Sequence, residues 1–459
     1  MARPTPLSGF PEWLPAERMV EQHVLDALRS TFESWGFASL ETRAVEPLEQ
    51  LLRKGEIDKE VYVLRRLHAE EQDDAADDRR LALHFDLTVP FARYVLENAG
   101  KLHFPFRRYQ IQKAWRGERP QEGRFREFVQ ADVDVVGAGE LAFHHEVELP
   151  LVVADALGAL RSIGLPPFRI QVNNRKVVEG FYRAIGLDDV PGVLRSVDKL
   201  DKIGRAGVAA ALQAQVGADD EQVAACLALA EITGADASVA DRVLALGAKH
   251  PLLDQGLEEL VRVVEAAGAH APGVLVADLR IARGLDYYTG TVYETQLVGH
   301  EDLGSVCSGG RYDELASDGK DTYPGVGLSV GVSRVVSALV GRGLSRATRS
   351  VPSCVLVAVP SEEDRHVCDA VALQLRRRGI PVEVAPAAAK YGKQIRHADR
   401  RGIPYVWFPQ VGGLESSDGT DAAGVAHAVR DIRSGEQVPA DPHTWAPPVQ
   451  DLRPRVVPA

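Results

Sequence analysis

The sequence predicts a mixed α/β protein, with helices around an antiparallel sheet, a helical insertion and a small C-terminal α/β domain. Three observations support this fold class. Residues 106–137 contain a strand, a turn with Pro and Gly, and a second strand, which is the pattern of an antiparallel hairpin. Residues 176–272 are rich in Ala and Leu and show no strand pattern. After residue 354, strands and helices alternate, which predicts a mainly parallel sheet.

Length and composition limit the class of protein. The chain has 459 residues, of which 45% are hydrophobic and 26% charged, with a formal net charge of −12. This length allows roughly two to four globular domains. Four widely spaced cysteines without a CxxC pair argue against a disulfide framework and a metal site, and favour a cytoplasmic location. No apolar run is long enough for a membrane span, and the N-terminus lacks the apolar segment of a secretory signal.

The N-terminal part alternates between helices and strands. Residues 16–36 carry an apolar stripe at helical spacing, and Gly36 ends this helix. Residues 81–96 predict a strand that continues into a helix, with Asp86 and Thr88 at the junction as a helix cap or as part of a site. We also expect a strand edge at 41–49, a charged loop at 68–80, a long apolar helix at 140–163 and a strand at 168–175.

The returning strand of the hairpin carries the most information. Side chains alternate along a strand, so one of its faces is apolar and suits a core. The other face, together with the first strand, presents an arginine, an aromatic ring, amides and two carboxylates to one cavity. The apolar residues are Val129, Ala131, Val133 and Val135. The residues of the polar face are Gln110, Gln112, Ala114, Arg116, Phe128, Gln130, Asp132 and Asp134.

Basic side chains crowd the same segment. Between Lys101 and Arg126, eight Lys or Arg residues stand against two acidic ones, Glu118 and Glu122. In a chain of net negative charge, such a cluster suggests a local anion site. A polar strand face is equally typical of the solvated side of an antiparallel sheet. The hairpin alone does not decide between these interpretations.

Three glycine-containing segments follow. Residues 325–331, GVGLSVG, predict a strand-to-helix turn with Arg334 in the first helical turn, either near amides that favour phosphate or as a surface residue. Their GxGxxxG spacing also leaves a dinucleotide-binding oxidoreductase as an alternative. Residues 308–313, SGGRYD, predict a simple turn. The segment RGLDYYTG gathers a cation, a carboxylate and two phenols, namely Arg283, Asp286, Tyr287 and Tyr288.

The C-terminal part begins with a basic segment at 341–353 that predicts a linker. Beyond it, the strands CVLVAVP, PVEVAP and PYVWFP alternate with helices at 362–378 and 390–401. The tail from Val438 is rich in proline, and we expect it to be poorly ordered.

These segments together indicate phosphate chemistry. Arg116, Arg283 and Arg334 come from three separate segments, with carboxylates scattered among them. The sequence shows no nucleophile beside a base and no cluster of metal ligands. Such a set suits phosphate-anhydride chemistry, in which positioning and charge stabilisation act instead of covalent catalysis.

Longer motifs resemble those of the histidyl-tRNA synthetases, a family of class II aminoacyl-tRNA synthetases. Residues 115–137 resemble motif 2 of the class, and residues 324–335 resemble its motif 3. RGLDYYTGTVYE and SGGRYDEL resemble the two signatures of the histidine-specific family. LALHFDLTVPFARY and SVDKLDKIG resemble the branch with the eukaryotic enzymes, and KYGKQIRHADRRGIPYVWF resembles the anticodon-binding domain. The resemblance therefore covers nearly the whole chain.

The resemblance implies an activity and a domain organisation. Histidine would be activated with ATP to histidyl-adenylate and pyrophosphate, with Mg²⁺ on the ATP phosphates, and then transferred to the terminal ribose of tRNA(His). A homodimer is implied, with helix 16–36 contributing to its interface. The implied domains are a class II catalytic domain at 1–175 and 273–340, a helical insertion domain at 176–272, a linker at 341–353, an anticodon-binding domain at 354–437 and a tail at 438–459.

The resemblance also implies an ATP site. Arg116 would bind the α-phosphate and Arg334 the γ-phosphate, while Phe128 would stack on adenine. The implied ATP-binding residues are Arg116, Glu118, Arg124, Phe128 and Arg334.

A histidine site is implied beside it. Neutral imidazole has one donor and one acceptor nitrogen, so Asp134 would accept from the ring and Tyr288 would donate to it. Arg283 would stabilise the transition state as the histidine carboxylate attacks, and with Arg116 it is an implied catalytic residue. Asp86, Thr88 and Gln130 would hold the α-amino group. The implied histidine-binding residues are Asp86, Thr88, Gln130, Asp134, Arg283, Tyr287 and Tyr288.

Contacts with tRNA are implied in two regions. Gln121 and Arg126 lie in motif 2, and Lys390, Lys393 and Arg396 lie in the C-terminal domain. The second group suits phosphates of the anticodon stem, although exposed basic residues on a helix are also ordinary solvated ones.

The sequence departs from the family at three positions near the site, and one of them is Asp134, which is shorter than the glutamate of many bacterial members. His84 stands where the family usually has arginine, and Ser333 stands where a glutamate commonly precedes the motif 3 arginine. An alternative function is that of a paralogue, the non-catalytic regulatory subunit of ATP phosphoribosyltransferase. Those paralogues typically lack the anticodon domain and degrade the catalytic signatures, whereas this sequence keeps both.

Overall fold

The computed structural model describes residues 5–52, 60–66, 80–281, 288–410 and 427–459. The chain divides into two compact units. The first consists of Met1–Glu12 and Val24–Arg342, and the second of Trp13–His23 and Gly343–Ala459. Among the described residues, no helix is both long enough and apolar enough to cross a membrane.

The first unit is built on a large, mainly antiparallel sheet, which confirms the predicted fold class. Nine strands follow the order β1-β5-β6-β12-β11-β10-β7-β9-β8, and β2, β4 and β3 form a separate small sheet. Among the described strands of the large sheet, the pairs β1–β5 and β7–β9 are parallel and the other pairs are antiparallel. The described strands of both sheets are β1 (Ala38–Ser39), β2 (Val45–Pro47), β3 (Val63–Leu64), β4 (Leu81–Leu83), β5 (Phe106–Trp115), β6 (Glu127–Val136), β7 (Phe168–Asn174), β8 (Thr233–Gly234), β9 (Leu275–Asp278), β10 (Thr291–Leu297), β11 (Cys307–Tyr312) and β12 (Gly325–Gly331).

Helices cover this sheet. The first one ends before Gly36 as predicted, because Gly36 takes a left-handed conformation with φ of 80°. The described helices of this part are α1 (Pro15–Ser34), α2 (Leu48–Leu52), α3 (Thr88–Asn98), α4 (His144–Ala159), α5 (Arg175–Ala184), α6 (Val190–Val197), α7 (Leu200–Val216), α8 (Asp220–Ala230), α9 (Ser238–Leu244), α10 (Pro251–His270) and α11 (Val332–Val336).

The hairpin predicted at 106–137 is β5 and β6. Their register places Arg108 opposite Asp134, and Gln110 opposite Asp132. Ala131 and Val133 are fully buried on the other face, so the predicted division into an apolar and a polar face is confirmed. The hairpin is joined on its β6 side by β12, which runs antiparallel to it.

Two helical predictions needed adjustment. The helix expected at 140–163 begins four residues later, because Gly137–Glu140 form a tight turn in which a Cβ on Gly137 would lie 1.8 Å from the Glu140 carbonyl oxygen. Residues 176–272 are helical as expected, yet β8 at Thr233–Gly234 pairs with β9 and extends the large sheet. These residues cluster within the first compact unit, and the boundaries of an insertion domain remain a prediction.

The segment SGGRYD is a strand, and its predicted turn is wrong. Residues 307–312 form β11, which pairs with β10 and β12. A Cβ on Gly309 would lie 2.0 Å from the Gly327 oxygen, and one on Gly310 would lie 2.5 Å from the Thr291 oxygen. The glycines therefore allow close packing within a sheet, whereas glycine pairs more commonly mark turns.

The segment GVGLSVG is likewise a strand, β12, followed directly by α11. Arg334 lies in that helix, as predicted. The first two glycines lie inside an antiparallel strand, and a Cβ on Gly327 would lie 1.9 Å from Asp134 Oδ1. A dinucleotide fingerprint instead forms a glycine-rich loop between a parallel strand and a helix, so the oxidoreductase alternative is contradicted.

The second unit contains the predicted small α/β fold. Its main sheet has the order β15-β14-β16-β17-β18, with β14 parallel to β15 and β16. The helices α12 and α13 follow β14 and β15 in the chain. Its described elements are β13 (Ser345–Ala347), β14 (Val355–Val357), α12 (Arg365–Arg377), β15 (Val382–Val384), α13 (Tyr391–Arg401), β16 (Tyr405–Phe408), β17 (Ala428–Asp431), β18 (Gln437–Pro439), α14 (Val449–Leu452) and β19 (Val456–Pro458).

The predicted linker and tail pair with each other, so the expectation of a poorly ordered tail is wrong. Strand β13 lies in the segment predicted as a linker, and it pairs with β19 in the tail. Arg349 donates hydrogen bonds to the carbonyls of Asp451 and Leu452, at 2.8 and 3.1 Å. Tyr405 donates to the Asp451 carboxylate at 2.8 Å. These bonds hold a proline-rich segment that has little ordering tendency of its own.

Candidate active site

Two adjoining cavities lie over the polar face of the β5–β6 hairpin. The larger has a volume of about 630 Å³ and the smaller about 240 Å³. Ser308 of β11 and Ser329 of β12 line both. The polar face thus underlies two cavities, and because Gln110, Asp132 and Asp134 are buried, the interpretation as a merely solvated sheet face is wrong.

The larger cavity brings together all the residues predicted to bind ATP. They come from the segment between β5 and β6, from β6 itself, and from α11. The predicted residues that line it are Arg116, Glu118, Arg124, Phe128 and Arg334.

Arg116 is held by its backbone surroundings and keeps an exposed guanidinium. Its Nε donates to the Phe85 carbonyl at 3.0 Å, and its side chain is 33% exposed. The guanidinium carbon lies 5.1 Å from the centre of the Phe128 ring, within cation–π range. Glu118 lies 3.8 Å from both Arg116 and Arg124, at the limit of an ion pair.

Arg334 connects α11 to the hairpin turn. Its guanidinium donates to the carbonyl of Gly123 at 3.3 Å and to the carbonyl of Ser305. Ser333, at the position of the family's glutamate, accepts a hydrogen bond from the Val129 amide at 2.8 Å. Ser333 therefore forms a hydrogen bond between α11 and β6 at the position where the family's glutamate would carry a negative charge.

The smaller cavity is more deeply buried and carries carboxylates. Of the residues predicted to bind histidine, Thr88, Asp134 and Tyr288 line it. Asp134 is held from two sides, because Tyr312 donates its hydroxyl to Oδ1 at 2.8 Å and Arg108 forms an ion pair with Oδ2 at 2.8 Å. Tyr288 lies over Gly310, where a Cβ would come within 2.9 Å of its ring.

Protonation in this cavity follows from its burial. Burial raises the pKa of Asp132 to about 7; Arg108 opposes the increase, and Asp134 adds to it. Burial, together with the charges of Asp134 and Asp86, also raises the pKa of the Tyr288 phenol. Tyr288 therefore keeps its proton at neutral pH and can act as a hydrogen-bond donor.

Two buried acceptors on the floor lack hydrogen-bond partners within the part of the chain that the structure describes. They are Oε1 of Gln130, which lines the larger cavity, and Oδ1 of Asp132, which lines the smaller one. The amide nitrogen of Gln130 donates to the Ser329 hydroxyl at 2.8 Å, which fixes the direction of its oxygen. Buried acceptors are normally satisfied, so this pair calls for a ligand or water with N–H or O–H donors.

The junction before α3 combines a structural and a candidate binding role. The Val89 amide donates to Asp86 Oδ1 at 3.1 Å, so Asp86 caps the helix start, which was one of the two interpretations. His84 is directed elsewhere: its Nε2 lies 2.6 Å from the Lys113 oxygen, and its ring packs on Trp115. His84, which replaces the family's usual arginine, therefore packs against β5.

A buried ion pair supports the strand that follows Tyr288. Arg311 of β11 donates to Glu146 of α4 at 2.7 Å. Thr291, which opens β10, donates its hydroxyl to the same carboxylate at 2.7 Å. Glu146 therefore fixes the chain three residues beyond Tyr288.

Two site residues were missed by sequence reasoning. Arg108 lies on the same strand face as Gln110, so alternation along the strand was sufficient to find it. Tyr312 was hidden because its segment was predicted as a turn, and a turn gives no side-chain direction. Both contact Asp134.

Some predicted residues lie away from the cavities or outside the described residues. Arg283, Asp286 and Tyr287 belong to residues 282–287, outside the described residues. Gln121 is exposed in the hairpin turn, and the half-buried Arg126 donates to the Glu118 carbonyl at 3.2 Å. The exposed basic residues of the α13 region are Lys390, Lys393 and Arg396. Within the described ranges, no group of three or more His, Cys, Asp or Glu residues could hold a metal ion.

Comparisons with known proteins agree with this geometry. A family model described as histidyl-tRNA synthetase matches residues 9–335, and one described as anticodon binding domain matches residues 354–408. A histidine–tRNA ligase from Micrococcus luteus is 61% identical and covers 99% of each chain. Another from Cutibacterium acnes is 59% identical and covers 100% of this chain and 99% of its own.

A solved structure supports the same assignment. The crystal structure of a histidyl-tRNA synthetase from a Nostoc species has 34% identity and a TM-score of 0.81, and the match covers 96% of this chain and 97% of that one. One family model matches most of the chain, and close relatives match it from end to end. The chain belongs to the histidyl-tRNA synthetase family.

Proposed function

We propose that this chain is a histidine–tRNA ligase that uses the larger cavity for ATP and the smaller one for histidine. The observation that carries the proposal is the pair of cavities on one hairpin, with guanidinium groups in one and carboxylates in the other. Their shared wall at Ser308 and Ser329 would let the histidine carboxylate meet the α-phosphate of ATP. The relatives named histidine–tRNA ligase favour this activity over that of the regulatory paralogue.

ATP would bind through charge and stacking. Arg116 and Arg334 would hold the α- and γ-phosphates, because a guanidinium forms paired hydrogen bonds with phosphate oxygens. Phe128 would stack on adenine, with Glu118 and Arg124 in the same pocket. Arg116 and Phe128 already lie within cation–π range, which supports a site prearranged for a nucleotide.

The α-ammonium group of histidine would lie beside Gln130, which lines the larger cavity, and against the floor of the smaller cavity. It carries three N–H donors, and the buried oxygens of Gln130 and Asp132 lack donors among the described residues. Thr88 lines the same cavity, and Asp86 contributes negative charge to it. Asp132, which had no role in the sequence-based hypothesis, thus becomes a candidate ammonium acceptor.

The imidazole ring would be recognised by a donor and an acceptor. Asp134 would accept from one ring nitrogen, since a carboxylate with two hydrogen-bonded partners still has lone pairs available. Tyr288 would donate to the other nitrogen. Amino acids without such a ring would leave these buried groups unpaired, which is a strong basis for discrimination.

The first reaction step needs charge stabilisation more than a base. A carboxylate oxygen of histidine would attack the α-phosphorus, and the bond from that phosphorus to the β-phosphate oxygen would break and release pyrophosphate. Arg116, together with Arg283, would stabilise the developing negative charge. A hydroxyl of the terminal tRNA ribose would then attack the carbonyl carbon and release AMP.

Mg²⁺ is proposed to enter with ATP. Glu118 is the one carboxylate that lines the larger cavity among the described residues. Mg²⁺ commonly binds through one or two carboxylates together with substrate phosphates and water, so this donor set fits a metal held mainly by the nucleotide. The ion would supply additional charge neutralisation at the phosphates.

The other partners are proposals of the same kind. Gln121, Arg126 and the exposed basic residues of α13 would contact tRNA(His). A homodimer with α1 at its interface would be detected as twice the chain mass by sedimentation equilibrium. A cytoplasmic location would suit the four described cysteines, which are all free and buried.

Histidine-dependent exchange between pyrophosphate and ATP tests the central proposal. We expect exchange with histidine and none with the other standard amino acids, and charging of tRNA(His) when tRNA is added. An Arg116→Ala variant serves as the inactive control. A folded chain that binds histidine but supports no exchange would contradict the ligase function.

A further inference from the structure

A third cavity, in the second unit, is rich in arginines. It has a volume of about 580 Å³ and lies where β13 and β19 pair beside α14. Four of its lining residues are Arg346, Arg349, Arg433 and Arg455. All four lie outside residues 354–408, which match the anticodon-binding model.

The charges of this cavity do not balance. Arg433 is neutralised, because its guanidinium pairs with the carboxylates of Asp431 and Asp451 at 2.7 Å each. Arg346, Arg349 and Arg455 have no carboxylate within 4 Å in the described ranges of the chain. Asp451 is the one acidic residue of the lining, so an excess of positive charge remains.

The cavity is held by fixed groups at its base. Arg349 is only 6% exposed and donates to the carbonyls of Val351, Pro352, Asp451 and Leu452. Carbonyl oxygens satisfy its N–H groups without cancelling its charge. Burial lowers the pKa of Arg349 accordingly. A buried cation without a counter-ion is unfavourable, and a bound anion would relieve this.

The rim of the cavity is held by the backbone. The Thr348 amide donates to the Arg455 carbonyl at 2.8 Å, and the Arg455 amide donates to the Thr348 hydroxyl oxygen at 3.0 Å. Arg346 lies two residues before Thr348, opposite Val457 of β19. Arg346 lies on β13, and Arg455 directly precedes β19. These two exposed arginines therefore hold fixed positions around the cavity.

We propose that this arginine cavity binds a phosphate group of the tRNA backbone, which rests on the proposed function. Guanidinium groups match phosphate oxygens in charge and in geometry. The cavity belongs to the unit that matches the anticodon-binding model, so a bound tRNA lies within reach of that unit. A free phosphate ion has the same chemistry and is the alternative source.

The double variant Arg346→Ala/Arg455→Ala tests the proposal. We expect its KM for tRNA to rise on the order of tenfold, and the slope of log affinity against log salt concentration to fall by about 1, because one phosphate contact is lost. Its histidine-dependent pyrophosphate exchange should stay unchanged, because both residues lie in the second unit. Arg377→Ala, an exposed arginine of α12, is the matched control and should change neither quantity.

Further measurements separate the possible results. Arg346→Lys/Arg455→Lys keeps the charges and should recover most of the tRNA affinity, which a merely structural effect would not predict. An unchanged KM for tRNA in the double alanine variant overturns the proposal. Inorganic phosphate could also stabilise the wild type but not the double variant, while tRNA binding is the same in both. That result would assign the cavity to a free anion and would also overturn the proposal. Direct tRNA binding by filter assay keeps this test independent of the exchange reaction.

Discussion

The two cavities of the first unit share one hairpin floor but are built in opposite ways. In the larger cavity the predicted ATP residues are partly exposed, with Arg116 at 33% and Arg124 at 38%. In the smaller cavity the charged groups are buried, with Arg108 at 0% and Asp134 at 4%. In the larger cavity, the arginines donate hydrogen bonds mainly to backbone carbonyls. In the smaller cavity, the side chains form hydrogen bonds and an ion pair with one another.

This difference suits the two ligands. A triphosphate carries several charges and suits partly exposed guanidinium groups that can pair with its phosphates. A single imidazole must be told apart from other side chains, and buried groups that would remain unpaired give that discrimination. We therefore expect substitutions in the smaller cavity to affect folding as well as binding, and those in the larger one to affect mainly catalysis.

The largest effect is expected for Arg108→Ala. This change removes the cation that pairs with Asp134 and leaves two carboxylates buried without it. We expect the free energy of unfolding to fall by about 3–5 kcal/mol, measured by urea denaturation at pH 7.5.

The matched control is Arg124→Ala in the larger cavity. Its side chain is 38% exposed and its carboxylate partner lies 3.8 Å away, so the loss should be below about 1 kcal/mol. Equal losses of unfolding free energy in Arg108→Ala and Arg124→Ala would show that the charged groups of the two cavities do not differ in their contribution to stability.

Arg116→Ala should give the next largest effect, and on activity alone. Removal of a group that stabilises developing charge lowers kcat for pyrophosphate exchange by roughly 100- to 1000-fold. The unfolding midpoint should stay close to that of the wild type, since the side chain is partly exposed. Arg116→Lys keeps the charge but loses the planar fork, and we expect intermediate activity. Wild-type exchange by the alanine variant would remove Arg116 from the mechanism.

The sequence predicted the larger cavity better than the smaller one. The five predicted residues of the larger cavity lie on one hairpin and one helix start, and alternation along β6 together with the motifs located all of them. The smaller cavity needs β11 beside β12 and β10. Sequence reasoning predicted a turn there, because Gly309 and Gly310 are typical of turns. The actual reason for glycine at these two positions is the close contact between neighbouring strands, which only the three-dimensional packing reveals.

Asp132→Asn sharpens the assignment of the ammonium group. Histidinol has the ammonium and the ring, whereas imidazole propionate has the ring and lacks the ammonium. The variant should bind histidinol roughly tenfold more weakly and imidazole propionate unchanged, because one charged hydrogen bond is lost. Asp134→Asn is the control, since a ring contact should weaken both analogues. Equal weakening of both by Asp132→Asn would contradict the ammonium role.

The pH dependence of the binding of histidinol and imidazole propionate provides a second check on Asp132. Its pKa is raised to about 7 from an ordinary 3.8, so the carboxyl is largely protonated at pH 5.5 in the free protein. An ammonium group favours the ionised form, so binding must release a proton below pH 7. The affinity for histidinol relative to imidazole propionate should therefore rise from pH 5.5 through 7 and level off at about pH 8. Asp132→Asn should remove this rise, and a rise that persists would assign the titration to another group.

The smallest effect is expected for Ser333→Ala, at the junction of the larger cavity with β6. The change removes the hydrogen bond from the Val129 amide at 2.8 Å and leaves that amide without its present acceptor. We expect the free energy of unfolding to fall by about 1 kcal/mol, and the KM for ATP to rise only a few-fold, because Arg334 keeps its contacts with the carbonyls of Gly123 and Ser305. Ser162→Ala, an exposed serine far along the chain, is the control for stability. A loss of exchange as large as that of Arg116→Ala would instead mean that Ser333 positions the Arg334 guanidinium, and that the larger cavity depends on buried positioning as the smaller one does.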